Sequence, residues 1–270
     1  MLDDFESELN VIHQILKNDK EYTKLIIGNE HFNHYGRHEI KYCLTYKHDT
    51  FSEILIDVLS KNVHINEIYT SADFTNDMCT YVTIKKIIKM KNWKSIFMCG
   101  YSCFVLDVLS IQQNPKLIKL TLSQIHLNSD LFLKIVKNTP SLEYFDLDYG
   151  YMQTVDLHVI AQGICESNIK TFIVNDICLT NECTVNFIND IIKCKLRNLH
   201  LKTRLSLSAF NLQNNYTLLN FTINNKCPVY AQDILKRNEQ YIFIILLCMN
   251  KKIIPRCVFK NLILSHLFKV

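Results

Sequence analysis

The sequence is short of the residues that let a chain turn sharply. Among 270 residues there are five glycines and four prolines. Tight hairpins need left-handed backbone, which glycine supplies. A fold made of many such hairpins is therefore excluded, and so are glycine-rich phosphate loops. Long apolar runs are missing too. The longest, Tyr241 to Met249, is too short to cross a bilayer, so no membrane partner is expected. Charge of one sign is also scarce: 30 basic and 26 acidic residues leave a formal net charge of +4. That is too little for the clustered basic face nucleic acid requires, so no nucleic-acid partner is expected. The one basic run is Lys85, Lys86, Lys89, Lys91 and Lys94. It reads as a solvated helix end, the alternative being an anion-binding or nuclear-import segment.

Motifs that carry chemistry are equally sparse. The sequence contains no G-x-G-x-x-G, His-Glu-x-x-His or G-x-S-x-G. The eleven cysteines are scattered and form no Cys-x-x-Cys pair. They read as reduced, mostly buried thiols of a reducing compartment, not as a disulfide framework. The closest two, Cys99 and Cys103, read as buried or lining thiols and not as a redox pair. His31, His34 and His38 could together hold zinc. Their setting reads instead as a polar connecting loop. No catalytic residue, metal or cofactor is expected. Met1 to Glu6 is acidic and lacks an apolar stretch, so the expected location is the cytoplasm, with the nucleus as an alternative, and not the secretory route.

What the sequence does have is a repeat. An apolar-x-x-apolar-x-apolar triplet recurs as Leu117-Leu120-Leu122, Leu142-Phe145-Leu147, Ile169-Phe172-Val174, Leu196-Leu199-Leu201 and Leu218-Phe221-Ile223. Looser copies precede it: Trp93-Ile96-Met98, Ile65-Ile68-Thr70, Ile40-Cys43-Thr45 and Tyr22-Leu25-Ile27. Apart from the first step, from residue 22 to 40, the starts lie 22 to 28 residues apart, within the period of strand–helix repeats. A helical pattern follows several triplets. Leu131, Phe132, Ile135 and Val136 share one helical face, with Asn128 or Ser129 as the cap. Val185, Ile188, Ile191 and Ile192 repeat that spacing, as do Leu157, Ile160 and Ile164. Pro115 and Pro140 stop their helices before the next strand.

On these triplets the chain resembles leucine-rich-repeat proteins of the helix-containing, ribonuclease-inhibitor-like type, most clearly from Trp93 to Asn225. It departs from them where the family motif carries its turn asparagine, since Ile125, Gly150 and Ile177 stand there. The resemblance implies an α/β solenoid, a curved horseshoe with a parallel sheet on the concave face and helices on the convex face. Helical caps are expected at both ends, because a stack otherwise exposes its core. The expected division is an N-terminal helical cap over residues 1–21 and repeats over 22–229, irregular in 22–92 and clearer in 93–229. A C-terminal helical cap follows over 230–270.

Side chains alternate along a strand, so the x positions of each triplet point away from the helices. Two clusters follow from that register. Tyr42, Leu44, Tyr46, Tyr69 and Phe97 form an aromatic group, the alternative being that they pack inside. Glu143, Tyr144, Asp146, Asp148 and Tyr149 form an acidic, tyrosine-rich group suited to a basic segment of a partner. The expected function is non-catalytic protein binding on the concave face. The alternative is a substrate-recruiting ubiquitin-ligase adaptor that uses F-box-like C-terminal helices.

Overall fold

The structure, a computed structural model, describes residues 10–27, 39–42, 49–71, 78–90, 93–100, 107, 109–125, 127–148, 157–175, 181–202 and 212–250. Leu44, Tyr46, Tyr149, Cys103 and the three clustered histidines lie outside these residues, as do 1–9 and 251–270 of the expected caps.

Strand and helix alternate along the chain. The strands are β1 (Lys24–Ile27), β2 (Glu39–Tyr42), β3 (Glu67–Ser71), β4 (Ser95–Cys99), β5 (Lys119–Ser123), β6 (Tyr144–Asp148), β7 (Thr171–Asn175), β8 (Asn198–Lys202) and β9 (Asn220–Ile223). The helices are α1 (Asp49–Lys61), α2 (Met78–Met90), α3 (Ser129–Asn138), α4 (Leu157–Glu166), α5 (Asn181–Ile192) and α6 (Val229–Asn250). A short helical segment at residues 10–16 precedes β1. The nine strands form one open sheet in the order β2-β1-β3-β4-β5-β6-β7-β8-β9, and every pairing is parallel.

From β3 to β9 the ladders align the triplets residue for residue. Leu120 pairs with Ile96 and Phe145, and Leu122 with Met98 and Leu147. These six side chains are at most 1% exposed. They form a single core with the inner faces of the helices, including Leu131, Phe132 and Ile135 of α3. Phenylalanines run along this layer. Phe145 stacks on Phe172 at 5.7 Å and meets Phe132 at 5.4 Å, while Phe187 presents an edge to Phe172. Helices α3 and α4 approach closely at Gly163. A Cβ on Gly163 would come within 2.8 Å of Leu133 and 2.9 Å of Phe132.

The return from helix to strand is held by buried polar side chains that stand three residues before the first apolar residue. Asn62 accepts from the His64 and Ile65 amides and donates to the Ile15 carbonyl. Asn215 does the same with the Thr217 and Leu218 amides and the Ile192 carbonyl. Thr139 donates to Ile135 while its own carbonyl accepts from Leu142. These residues satisfy backbone groups that the turns would otherwise bury unpaired. Asn128 caps α3, accepting from the Leu131 amide at 2.8 Å.

Three expectations need correction. The first concerns β2, which lies outside β1 and not between β1 and β3. Leu25, Ile26 and Ile27 are all buried, which suits an inner strand. Glu39-Ile40-Lys41-Tyr42 places a charge at every second position, which suits an edge. The second concerns the register of β2. Glu39 stands in the column of Lys24 and Glu67, and Tyr42 stands with Ile27 and Thr70. Tyr42 therefore leaves the column expected for it, and Ile40, not Cys43, aligns with Leu25 and Ile68. The alternation of these four residues decides the register over the looser triplet.

The third correction concerns the thiols. Cys165, at the end of α4, and Cys194, just after α5, form a disulfide with Cα atoms 4.4 Å apart. Stacking accounts for it: a separation of 29 residues is close to one repeat, so both cysteines reach the same level of adjacent units.

Two outcomes follow. Replacing fully buried Leu120 by alanine is expected to cost about 2–5 kcal/mol, the transfer and cavity cost of a core leucine; urea unfolding measures it, and an unchanged midpoint would mean this register is wrong. Reducing the Cys165–Cys194 bridge is expected to cost about 3–4 kcal/mol from loop-closure entropy. The double serine variant should then unfold alike with and without reductant.

Candidate functional site: the open face of the sheet

The helices cover one face of the sheet, and the other face carries three columns of side chains. The first runs Lys24, Glu67, Ser95, Lys119, Tyr144, Thr171, Asn198 and Asn220. The middle column runs Ile26, Tyr69, Phe97, Thr121, Asp146, Ile173, His200 and Thr222. In the last, Cys99, Ser123, Asp148, Asn175 and Lys202 follow one another. Most of these side chains are half-buried, held upright by neighbours about 4.8 Å away. Thr121 and Ser123 are buried outright.

At one end lies an aromatic shelf. Tyr69 and Phe97 stack at 5.3 Å between centroids, nearly parallel, and the Lys24 ammonium sits 3.8 Å from the Tyr69 centroid. Both rings occupy the expected middle column. Lys24 was not foreseen; its place follows only once β1 is aligned with β3.

The centre of the face is polar. The Lys119 ammonium lies 4.6 Å from the Tyr144 centroid. Tyr144 donates weakly to Asp146 Oδ2 at 3.5 Å, and Ser123 donates to Asp148 Oδ2 at 3.3 Å. Burial, reinforced by the Asp146 charge, pushes the Tyr144 phenol up to about 12. Burial also pushes the Asp146 carboxyl up to about 6, aided by the charge of Asp148 and opposed by Lys119, the Tyr144 hydroxyl and Lys202. Asp146 Oδ1 and Asn175 Oδ1 are shielded from solvent without a hydrogen-bond partner. Asn198 donates to Thr171 at 2.9 Å, and His200 pairs with Thr222 at 2.8 Å. Burial holds the His200 imidazole below its ordinary pKa.

The structure thus brings Tyr144, Asp146 and Asp148 together and separates Glu143 from them. Glu143 is exposed ahead of β6, and its carboxylate pairs with Lys170. With Lys119 and Lys202 close by, the strip is mixed in charge. Asn175 belongs to its centre, and the sequence signal for it was its position directly after Val174 of the triplet.

Elsewhere, Lys86 and Lys89 of the basic run are exposed on α2, and Lys86 pairs with Glu53. Among the described residues, no group of three or more His, Cys, Asp or Glu is placed to hold a metal. No described helix is long and apolar enough to cross a membrane.

No protein-family model matches the chain, and no curated protein matches it in sequence. The architecture therefore defines the class: a repeat-like series of strands and helices that builds an open, wholly parallel α/β sheet, one face of which no described helix covers.

The Asp146 environment has a measurable consequence. The folded protein holds this proton more tightly than the unfolded chain, whose aspartates titrate near 3.8. Its contribution favours folding at low pH and is lost as the pH rises through about 6. Asp146→Asn is expected to stabilise the protein by about 1–3 kcal/mol above that pH. Wild type and variant should converge below about pH 4, as followed by urea midpoints across the range.

Proposed function

We propose that this chain is a leucine-rich-repeat solenoid of the helix-containing type, and that it is a non-catalytic module binding a protein partner on its bare sheet face. Helices need more lateral room than strands, so a stack of such units curves with the sheet inside. The bare face then becomes the concave wall of a horseshoe. The observation that carries this reading is the continuous run of half-buried side chains from Tyr69 and Phe97 through Tyr144 and Asp146 to His200. An aromatic shelf beside desolvated polar groups is the composition of binding centres, where rings and paired charges carry most of the energy. Triplet register and helix placement support it.

A second reading, the ubiquitin-ligase adaptor, has one observation in its favour. Helix α6 exposes Tyr241, Phe243, Ile244 and Leu247, and a partner subunit could cover them.

Proximity labelling in the native cell separates the two readings. The double charge reversal Asp146→Lys and Asp148→Lys is expected to lose the labelled partner while the protein stays folded. Phe243→Glu with Ile244→Glu should leave that partner in place. The adaptor reading expects the reverse, with a ligase subunit lost from the α6 variant.

A further inference from the structure

We infer that the rim where the helices return into the strands docks on the surface of an anionic lipid bilayer, with the exposed side chains of Ile111 and Ile118 seated among the headgroups between lysines. This surface is separate from the bare face and leaves that face open.

The backbone makes the rim a fixed ledge. The strands pair residue for residue, so Ser95, Lys119, Tyr144, Thr171 and Asn198 begin them at one level. One residue earlier runs a further row, in which each carbonyl accepts from the next unit. Asn66 accepts from Lys94, Lys94 from Ile118, Ile118 from Glu143, and Glu143 from Lys170. The turns ahead of this row are tied sideways as well. Gln112 donates to the Lys89 carbonyl at 2.9 Å, and Asn168 to the Pro140 carbonyl at 2.8 Å.

Two independent features mark what the rim meets. The first is charge. In the turns that lead into β4, β5 and β6, Lys89, Lys94, Lys116 and Lys137 are all exposed. Among the described residues, no ion pair engages their ammonium groups. No acid stands in the described part of those turns before Glu143, which Lys170 neutralises. Lysines at helix C-termini offset the helix dipole, which accounts for Lys89 and Lys137. Lys94 and Lys116 stand beyond the helices, where that effect has faded. The second feature is apolar exposure. Ile111, at the end of the helical turn before β5, is 75% exposed. Ile118 lies in the carbonyl row itself, next to Lys94, and is also exposed. Val63, in the turn into β3, continues the pattern at 72%. Single exposed aliphatic side chains are ordinary on a protein surface. Here they alternate with cations along one hydrogen-bonded ledge.

That alternation separates the possible partners. A phosphate backbone or a run of acidic side chains would satisfy the lysines but would give the isoleucines no apolar medium. An anionic bilayer satisfies both. Its surface potential attracts basic side chains, and apolar ones reach the boundary between headgroups and acyl chains. No described helix can span a membrane, so the contact is with the bilayer surface alone. The missing apolar run that excludes a span does not exclude this.

The test is flotation of the full chain with two kinds of vesicle, phosphatidylcholine alone and phosphatidylcholine with phosphatidylserine in equal parts. Binding is expected on the mixed vesicles only, and it should fall as salt is raised and exposed charges are screened. Lys94→Gln with Lys116→Gln should weaken it about 30-fold, or about fivefold for each cation near an anionic surface. Ile111→Ser with Ile118→Ser keeps every charge and should weaken it on the order of 10-fold. Lys226→Gln removes an exposed cation beyond β9, at the other end of the strands, and should bind as wild type does. Circular dichroism checks that each variant is folded. Wild type that fails to float with the mixed vesicles, or that floats equally with neutral ones, overturns the inference. So does a loss of about fivefold in Lys226→Gln, because net charge and not the rim would then be the cause. An isoleucine variant that binds undiminished also overturns it. Polyuridylate and polyglutamate, titrated in parallel, would then show whether the rim serves a nucleic acid or an acidic protein instead. None of these outcomes bears on the reading of the bare face.

Discussion

Every feature of the bare face depends on neighbouring strands sharing one register. Parallel ladders fix that register by evenly spaced backbone bonds, but the bonds alone would tolerate a slip. The buried columns do not. Moving β6 by one residue would turn Phe145 and Leu147 outward and bring Tyr144, Asp146 and Asp148 into the core. The apolar cost of that flip also protects the alignment of Thr121, Asp146 and Ile173 on the other side. A surface of polar and aromatic groups is thus positioned by contacts it does not make.

The same logic decides which parts were legible in the sequence. Where a triplet has three strong apolar residues, as in Leu117-Leu120-Leu122, pattern and register coincide, and the strand was placed to the residue. Where the triplet is loose, a competing pattern wins. In β2 the alternation of Glu39, Ile40, Lys41 and Tyr42 outweighs the spacing of Ile40 and Cys43, so Tyr42 moves to another column. The order of β1 and β2 was not legible either, because it depends on which strand is buried on both faces, a property of the assembled sheet. The turn asparagine expected from the resemblance is largely missing, yet Asn62 and Asn215 settle backbone groups at the opposite end of the repeat. Asn215 begins a glycosylation sequon, but its side chain is buried in three hydrogen bonds. The cysteine bridge was hidden for a related reason. A list of eleven scattered thiols carries no pairing until the stacking period says which of them lie side by side.

Least legible was the difference between acidic residues that look alike. Glu143, Asp146 and Asp148 lie within six residues, and a sequence reading groups them as one negative patch. The fold gives each a separate chemistry. Glu143 is exposed and neutralised by Lys170. Asp148 receives the Ser123 hydroxyl from the next strand. Asp146 sits between Thr121 and Ile173, neither of which donates to it. Its charge therefore costs stability at neutral pH, and nothing in the core requires it there. Asparagine or threonine would fill the same volume without that cost. Three acids that the sequence presents as one patch thus differ in what each costs the folded state.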